Sequence, residues 1–152
     1  YKRQVDDEDF QRLNKYNWRA RWDEHAHTFY AQRHTTNNSG RRTTIRMHRE
    51  VLRASLAEMV DHKDRNGLNN QKENLRRATR SQNQANTRKK SGCASRFKGV
   101  SLDRRDGRWY SRIKVEGRTL QLGRFDSERE AAVAYNRAAS KHFGEFALLN
   151  DV

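Results

Sequence analysis

The chain carries one cysteine, Cys93, in 152 residues, so neither a disulfide framework nor a cysteine-based zinc site can form within it. A reducing compartment suits such a chain. Hydrophobic residues are also scarce, at 33% against 34% charged, where average soluble domains hold roughly 45–50% and 25%. A single large core is out of reach, and two small, sheet-rich modules fit better. No apolar run approaches the ~18 residues of a membrane span, and no charged-then-apolar signal segment opens the chain. These absences lead us to expect a soluble, intracellular protein, cytoplasmic or in a host cell and not secreted. Tyr1 in place of Met leaves room for further N-terminal sequence.

Negative charge is the next shortage. Asp and Glu number 19 against 33 Lys and Arg, giving a net charge of +14 and a pI near 10.6. The excess runs along the whole chain, interleaved with Trp, Tyr and Phe. That pattern suits a polyanion lying across several elements, with nucleic acid as the expected partner and a solvated basic surface or an anionic membrane as the alternatives.

In chain order, an acidic first turn (Asp6, Asp7, Glu8, Asp9) followed by Phe10 and Leu13 predicts a helix over 5–16, its carboxylates capping rather than catalysing. Alternating runs at 18–22, 28–34 and 43–47 predict a small antiparallel sheet, with a turn at 35–40. His25, His27 and His34 fall near its strand ends with no ligand-pair spacing, so they read as exposed polar residues. A helix follows over 47–56, opened by His48, which could touch an active site or serve a structural role. Strands are expected at 59–64 and 74–78 around a loop at Gly67. Thr79 and Gln82 have capping-box spacing for a helix over 80–89.

The segment from Met59 to Asn83 carries the chemistry. Phosphodiester hydrolysis needs an activated water, an electrophile for the developing charge, and a means of holding both in line. His62 can act as general base near neutral pH. Asp61 is a hard oxygen donor for a divalent cation, Asn83 offers a second, neutral oxygen, and Asn74 sits where its amide could orient the imidazole. Because neighbours on an ideal strand point to opposite faces, Asp61 and His62 can share one site only if the strand ends or twists there.

Residues 48–86 resemble the HNH nuclease family in its homing-endonuclease branch. The match rests on Asp61-His62, Asn74 and Asn83 at two matching spacings, with Lys63-Asp64 where the family usually has Ile-Asn. The resemblance implies a ββα-metal fold, with Asp61 and Asn83 as metal ligands, His62 as base and Asn74 as its orienting residue. It also implies products with 5′-phosphate and 3′-hydroxyl ends. Mg²⁺ or Mn²⁺ suits such an oxygen set better than Zn²⁺.

Residues 86–95, with Arg88, Lys89 and Lys90 before Ser91-Gly92, read as a linker that is either solvated or tracks phosphates. Beyond it, strands at 97–102, 108–115 and 119–125 and a capped, alanine-rich helix over 127–144 predict a three-stranded antiparallel sheet packed on one helix. Phe97-Lys98-Gly99-Val100, Gly107-Arg108-Trp109, Leu122-Gly123-Arg124-Phe125, Glu130-Ala131-Ala132, Ala134-Tyr135 and Leu149-Asn150 are similar to the Apetala-type (ethylene-response-factor) DNA-binding domain. That family lays its sheet in the major groove. Alternation turns Trp109, Ser111, Ile113, Leu120 and Leu122 inward and Tyr110, Arg112, Lys114, Thr119 and Gln121 outward. By resemblance Lys98, Arg112, Lys114 and Gln121 match reading positions, flanked by Arg104, Arg105 and Arg118. Ser101 and Gln121 replace the family's usual Arg and Trp, so the plant recognition sequence does not carry over.

The resulting expectation is an α+β protein: an HNH nuclease domain with a small N-terminal sheet over 1–86, a basic linker over 87–95 and an Apetala-type domain over 96–152. It would be a monomer that nicks double-stranded DNA. The alternative is a non-catalytic DNA-binding regulator on the same folds. Charge alone admits an RNA-directed nuclease, but a major-groove sheet reader argues for duplex DNA.

Overall fold

The computed structural model describes residues 4–89 and 92–152, and the fold is α+β. Contacts divide the chain into two compact units, one up to Thr79 and one from Arg80 onward.

The N-terminal unit opens with α1 (Asp7–Leu13), whose first turn holds Asp7, Glu8 and Asp9. It is shorter than the expected 5–16, and the Trp18 indole donates to the Leu13 carbonyl at 2.8 Å, satisfying one of the acceptors a helix end leaves open. Strands β1 (Arg19–Asp23), β2 (Thr28–Thr36) and β3 (Arg42–Arg46) form an antiparallel sheet in sequence order. The turn after β2 is held by Asn37, whose Oδ1 accepts from the Ser39 and Arg41 amides. Helix α2 (Met47–Val51) also stops short of the expected residue 56. Arg53 has φ 48°, its N–H bonds Glu50 O, and Ala54 N–H bonds Arg49 O. This is a Schellman ending with arginine in the left-handed position that glycine usually takes. Strands β4 (Met59–His62) and β5 (Leu75–Ala78) pair antiparallel. Leu13, Trp18, Ala31, Met47, Val51, Leu68 and Leu75 form the core.

The C-terminal unit starts with α3 (Arg80–Ala85). Its Ala85 packs with Ile113, Tyr135, Ala139 and Phe143, and Lys98 Nζ donates to the carbonyls of Gln84 (3.0 Å), Ala85 (2.6 Å) and Thr87 (2.8 Å). An ammonium taking up the last carbonyls ends the helix at Ala85 rather than 89. Because α3 packs this way, the units divide after Thr79, where the sequence placed the boundary after 86.

Strands β6 (Val100–Leu102), β7 (Trp109–Val115) and β8 (Arg118–Phe125) form an antiparallel sheet covered by α4 (Glu128–Phe143). Ser127 Oγ caps α4 by accepting from Glu130 N at 3.1 Å. Gly99, at φ +76°, lies where a Cβ would enter the Tyr135 ring and meet Arg112 O at 2.7 Å, so sheet and helix meet through an absent side chain. A bulge between Ser111 and Arg112 leaves Leu122 without a direct partner. Ser111 and Ile113 are buried and Arg112, Lys114, Thr119 and Gln121 exposed, as alternation requires. Leu120 departs from its expected inward setting: opposite Ile113 and two pairs from the Glu116-Gly117 turn of the hairpin, it is 38% exposed.

Candidate active site

Strand β4 ends at His62, which meets the condition the adjacent pair imposed. Asp61 and His62 are both 5% exposed, but they face different neighbours. Asp61 lies opposite Arg76 on β5, and its Oδ2 accepts from Arg76 Nε at 2.9 Å and lies 2.8 Å from Nη2. Both contacts of this buried pair converge on Oδ2 and anchor that oxygen. The His62 ring packs edge-on against His48 (centroids 4.9 Å) and near Tyr30 (5.7 Å), while Tyr30 and His48 are 5.3 Å apart. His48, which opens α2, thus belongs to the same pocket.

The loop between β4 and β5 is built on amide and carboxylate side chains. Asp64 Oδ1 accepts from Asn66 N (2.8 Å) and Asn74 Nδ2 (2.9 Å), and its Oδ2 accepts from Asn69 Nδ2 (2.8 Å). Asn74 also donates to Asn69 O (2.9 Å) and accepts from Asp64 N (3.0 Å). Its side-chain amide therefore shapes the loop that follows His62, and the buried Asn70 of the same loop donates its own amide to Leu68 O at 2.9 Å. Gly67 lets the loop press on β2: a Cβ there would lie 2.5 Å from Phe29 O and 2.6 Å from the Tyr30 ring.

Burial lowers the pKa of His62, against the opposing pull of Asp64, Asn70 and Asp61. Burial also pushes His48 down to about 2, assisted by His62, Arg46 and Arg49. Both rings are therefore neutral at pH 7, and a neutral imidazole carries the lone pair that a base needs. Nδ1 of His48 is buried without a hydrogen-bond partner among the described residues.

Asn83 is half-buried on α3, in the C-terminal unit. The carboxylate cluster Asp6, Glu8 and Asp9 is engaged in ion pairs. Arg12 lies 2.5 Å and Lys72 3.3 Å from Asp9, and Lys72 also pairs with Glu8. Capping and ion pairing account for that cluster. His25, His27 and His34 are exposed.

On the C-terminal sheet, Arg112, Lys114 and Gln121 share one exposed face, with Arg112 and Gln121 directly opposed. A depression of about 420 Å³ lies there, lined by Ser101, Tyr110, Arg112, Gln121, Gly123 and Arg124. Its floor is open where Ser101 and Gly123 contribute little side chain. Arg104 and Arg118 are exposed, and so is Arg105, although it pairs with Asp103 at 3.4 Å. Two residues expected at DNA are engaged in the fold. Lys98 caps α3, and Lys89 Nζ donates to Phe97 O (2.7 Å) and Val100 O (2.8 Å). Arg88 is exposed; Lys90 lies outside the described residues.

Sequence reasoning missed Arg76, Asn70 and Tyr30. Arg76 was within reach, since pairing the two strands places it opposite Asp61. Asn70 left only a weak signal in the Asn69-Asn70 dipeptide. Tyr30 comes from a different sheet and leaves none.

Among the described residues, no helix is long and apolar enough to cross a membrane. Comparison with known proteins bears on both units. The chain is similar to an AP2-like ethylene-responsive transcription factor of Arabidopsis thaliana, 46% identical over 59 residues, which is 39% of this chain and 12% of that protein. It is similar to an APETALA2-like protein of Oryza sativa subsp. indica, 46% identical over 57 residues, covering 38% and 13%. It is also similar to an uncharacterized HNH endonuclease of Acanthamoeba polyphaga mimivirus, 39% identical over 93 residues, covering 61% of this chain and 47% of the viral protein. The chain thus spans a small part of the plant relatives and about half of the viral one. A family model described as HNH endonuclease matches residues 57–85, the stretch that holds Asp61, His62, Asn74 and Asn83.

Proposed function

We propose that the chain is a metal-dependent DNA endonuclease of the HNH type that hydrolyses one phosphodiester bond and nicks one strand of duplex DNA. The observation that carries this reading is the buried imidazole of His62 next in the chain to the Arg76-anchored carboxylate of Asp61, inside the segment that matches an HNH endonuclease model.

His62 takes the proton from the attacking water as the oxygen closes on phosphorus. The Asp64–Asn69–Asn74 lattice holds the loop that leaves His62, and the rings of His48 and Tyr30 pack against the imidazole and fix its setting. Orientation of this kind removes much of the entropic cost of reaching the transition state. Asp61 and Asn83 would hold Mg²⁺ or Mn²⁺, which when bound supplies charge stabilisation to the leaving 3′ oxygen. One such site in a monomer cuts one strand.

The C-terminal unit selects or anchors the target through Arg112, Lys114 and Gln121, with Arg104, Arg105 and Arg118 at the flanks and Arg88 before the sheet. The plant-protein similarity and the exposed, cation-rich face support this fusion of a cutting unit with a DNA-binding one. Lys98 and Lys89 stay outside that set because backbone carbonyls engage them.

A radiolabelled duplex library tests the reading. Incubation with Mg²⁺ or Mn²⁺ should yield single-strand cuts with 5′-phosphate and 3′-hydroxyl ends, abolished by EDTA. Duplexes that the chain binds at sub-micromolar concentration and leaves intact with either metal would remove the nuclease assignment.

A further inference from the structure

The N-terminal sheet has two faces, and alternation assigns each side chain to one of them. Ala20, Ala31 and Ile45 turn toward the core. The opposite face carries Arg19 and Arg21 of β1, Tyr30 and Gln32 of β2, and Arg42 and Arg46 of β3. Arg21 lies directly opposite Tyr30, and Arg19 opposite Gln32, which in turn opposes Arg46. Tyr30 touches both pocket histidines, so this face runs into the site of His62.

Charge compensation on the face is uneven. Arg46 is neutralised by Asp23 at 2.9 Å and stacks on Tyr30 at 4.5 Å. Arg33, on the core side of the same sheet, is paired with Glu50 at 3.2 Å. Arg19, Arg21 and Arg42 are exposed, and among the described residues their side chains make no ion pair and no hydrogen bond. Arg19 and Arg21 are neighbours on β1, while Arg42, opposite Thr36, sits at the far corner of the same face, so an extended polyanion rather than a single ion can engage all three. A guanidinium fork matches phosphate oxygens, and a row of phosphates matches a row of forks.

The geometry points to a phosphate-binding face on the N-terminal sheet: Arg19, Arg21 and Arg42 hold the backbone of duplex DNA beside the bond at which His62 acts. The last clause rests on the nuclease reading; the binding face does not. Substrate grip is then shared, with the C-terminal sheet choosing the site and the N-terminal sheet placing the strand at the pocket.

The test is binding of the full chain to a short fluorescein-labelled duplex in EDTA, over about 50–200 mM salt, the range in which phosphate contacts show as a slope of log affinity on log salt. R19Q/R21Q/R42Q should flatten that slope by about 0.9 per lost contact, roughly 2.7 in all. R19K/R21K/R42K should keep it. R129Q/R137Q/K141Q, which removes the same charge from exposed positions of α4, should leave it unchanged, and melting curves check that each variant is folded. A glutamine triple variant with an unaltered slope, or one that changes no more than the α4 variant, would overturn the proposal. So would a flattening seen with duplex RNA and not with DNA. Because EDTA suppresses cleavage, a chain that shows the expected slopes yet cuts nothing with Mg²⁺ loses the nuclease reading and keeps the face.

Discussion

His62 and His48 decide what the site can do at a given pH, and both were visible in the sequence, though their relation was not. Nothing local places residue 48 against residue 62; a shared partner from β2, Tyr30, brings the rings together. Burial lowers both pKa values from 6.5, His48 to about 2. The sign follows from proton linkage: below about pH 6.5 the unfolded chain binds protons that the folded chain refuses. Stability is therefore full above that pH and erodes as pH falls, by up to about 1.4 kcal/mol per pH unit for each such histidine. The lowered carboxylates of Asp9, Asp23 and Asp64 act separately, below their ordinary 3.8. Urea unfolding between pH 7 and 4.5 should show the loss, and His48→Leu should shrink it; a flat profile in the native chain would contradict the burial of both rings. The same lowering places the acid limb of cleavage below pH 6.5, since His62 stays a competent base to lower pH than a free imidazole. A single-turnover pH profile checks it.

At the scale of elements, most of the fold was legible because period-two alternation, turn residues and capping residues are local signals: the six strands of the two three-stranded sheets and the α4 cap at Ser127 follow from them. Lengths were less legible where a distant group ends the element. Lys98 stops α3 from thirteen residues away, and Arg53 closes α2 in a conformation for which its residue type gives no warning. Asn74 shows the same limit within the site, since its type and spacing mark it as important, yet its bonds go to Asp64 and Asn69. The pairing of β4 with β5 carries the main energetic risk. Arg76→Met leaves the Asp61 carboxylate buried without its cation, and loss of one partner of such a pair costs about 3–5 kcal/mol. Equilibrium denaturation should show a loss of that order, where a change under 1 kcal/mol would mean the carboxylate is satisfied without Arg76. Gly99→Ala forces a Cβ into Tyr135 at a positive φ and should cost at least about 1–3 kcal/mol, read from the melt of the full chain.

For the whole molecule, low hydrophobic content led to the expectation of two small modules in place of one large core, and contacts divide the chain into two compact units. Composition could not assign the charge to surfaces. Some of the cations the sequence offered to DNA are engaged by carbonyls, while Arg19, Arg21 and Arg42 of the first sheet, which motif reasoning passed over, make no ion pair among the described residues. R112Q/K114Q in the C-terminal sheet should weaken duplex binding and leave single-turnover cleavage at saturating protein little changed, because those residues lie outside the chemistry. Conversion of supercoiled plasmid to open circle with Mg²⁺ or Mn²⁺, compared between the native chain, His62→Ala and an EDTA control, separates a nuclease that uses His62 from a protein that only binds. The account requires nicking that disappears in the variant and with EDTA while plasmid binding persists. Undiminished nicking by His62→Ala would contradict it and remove His62 from the mechanism.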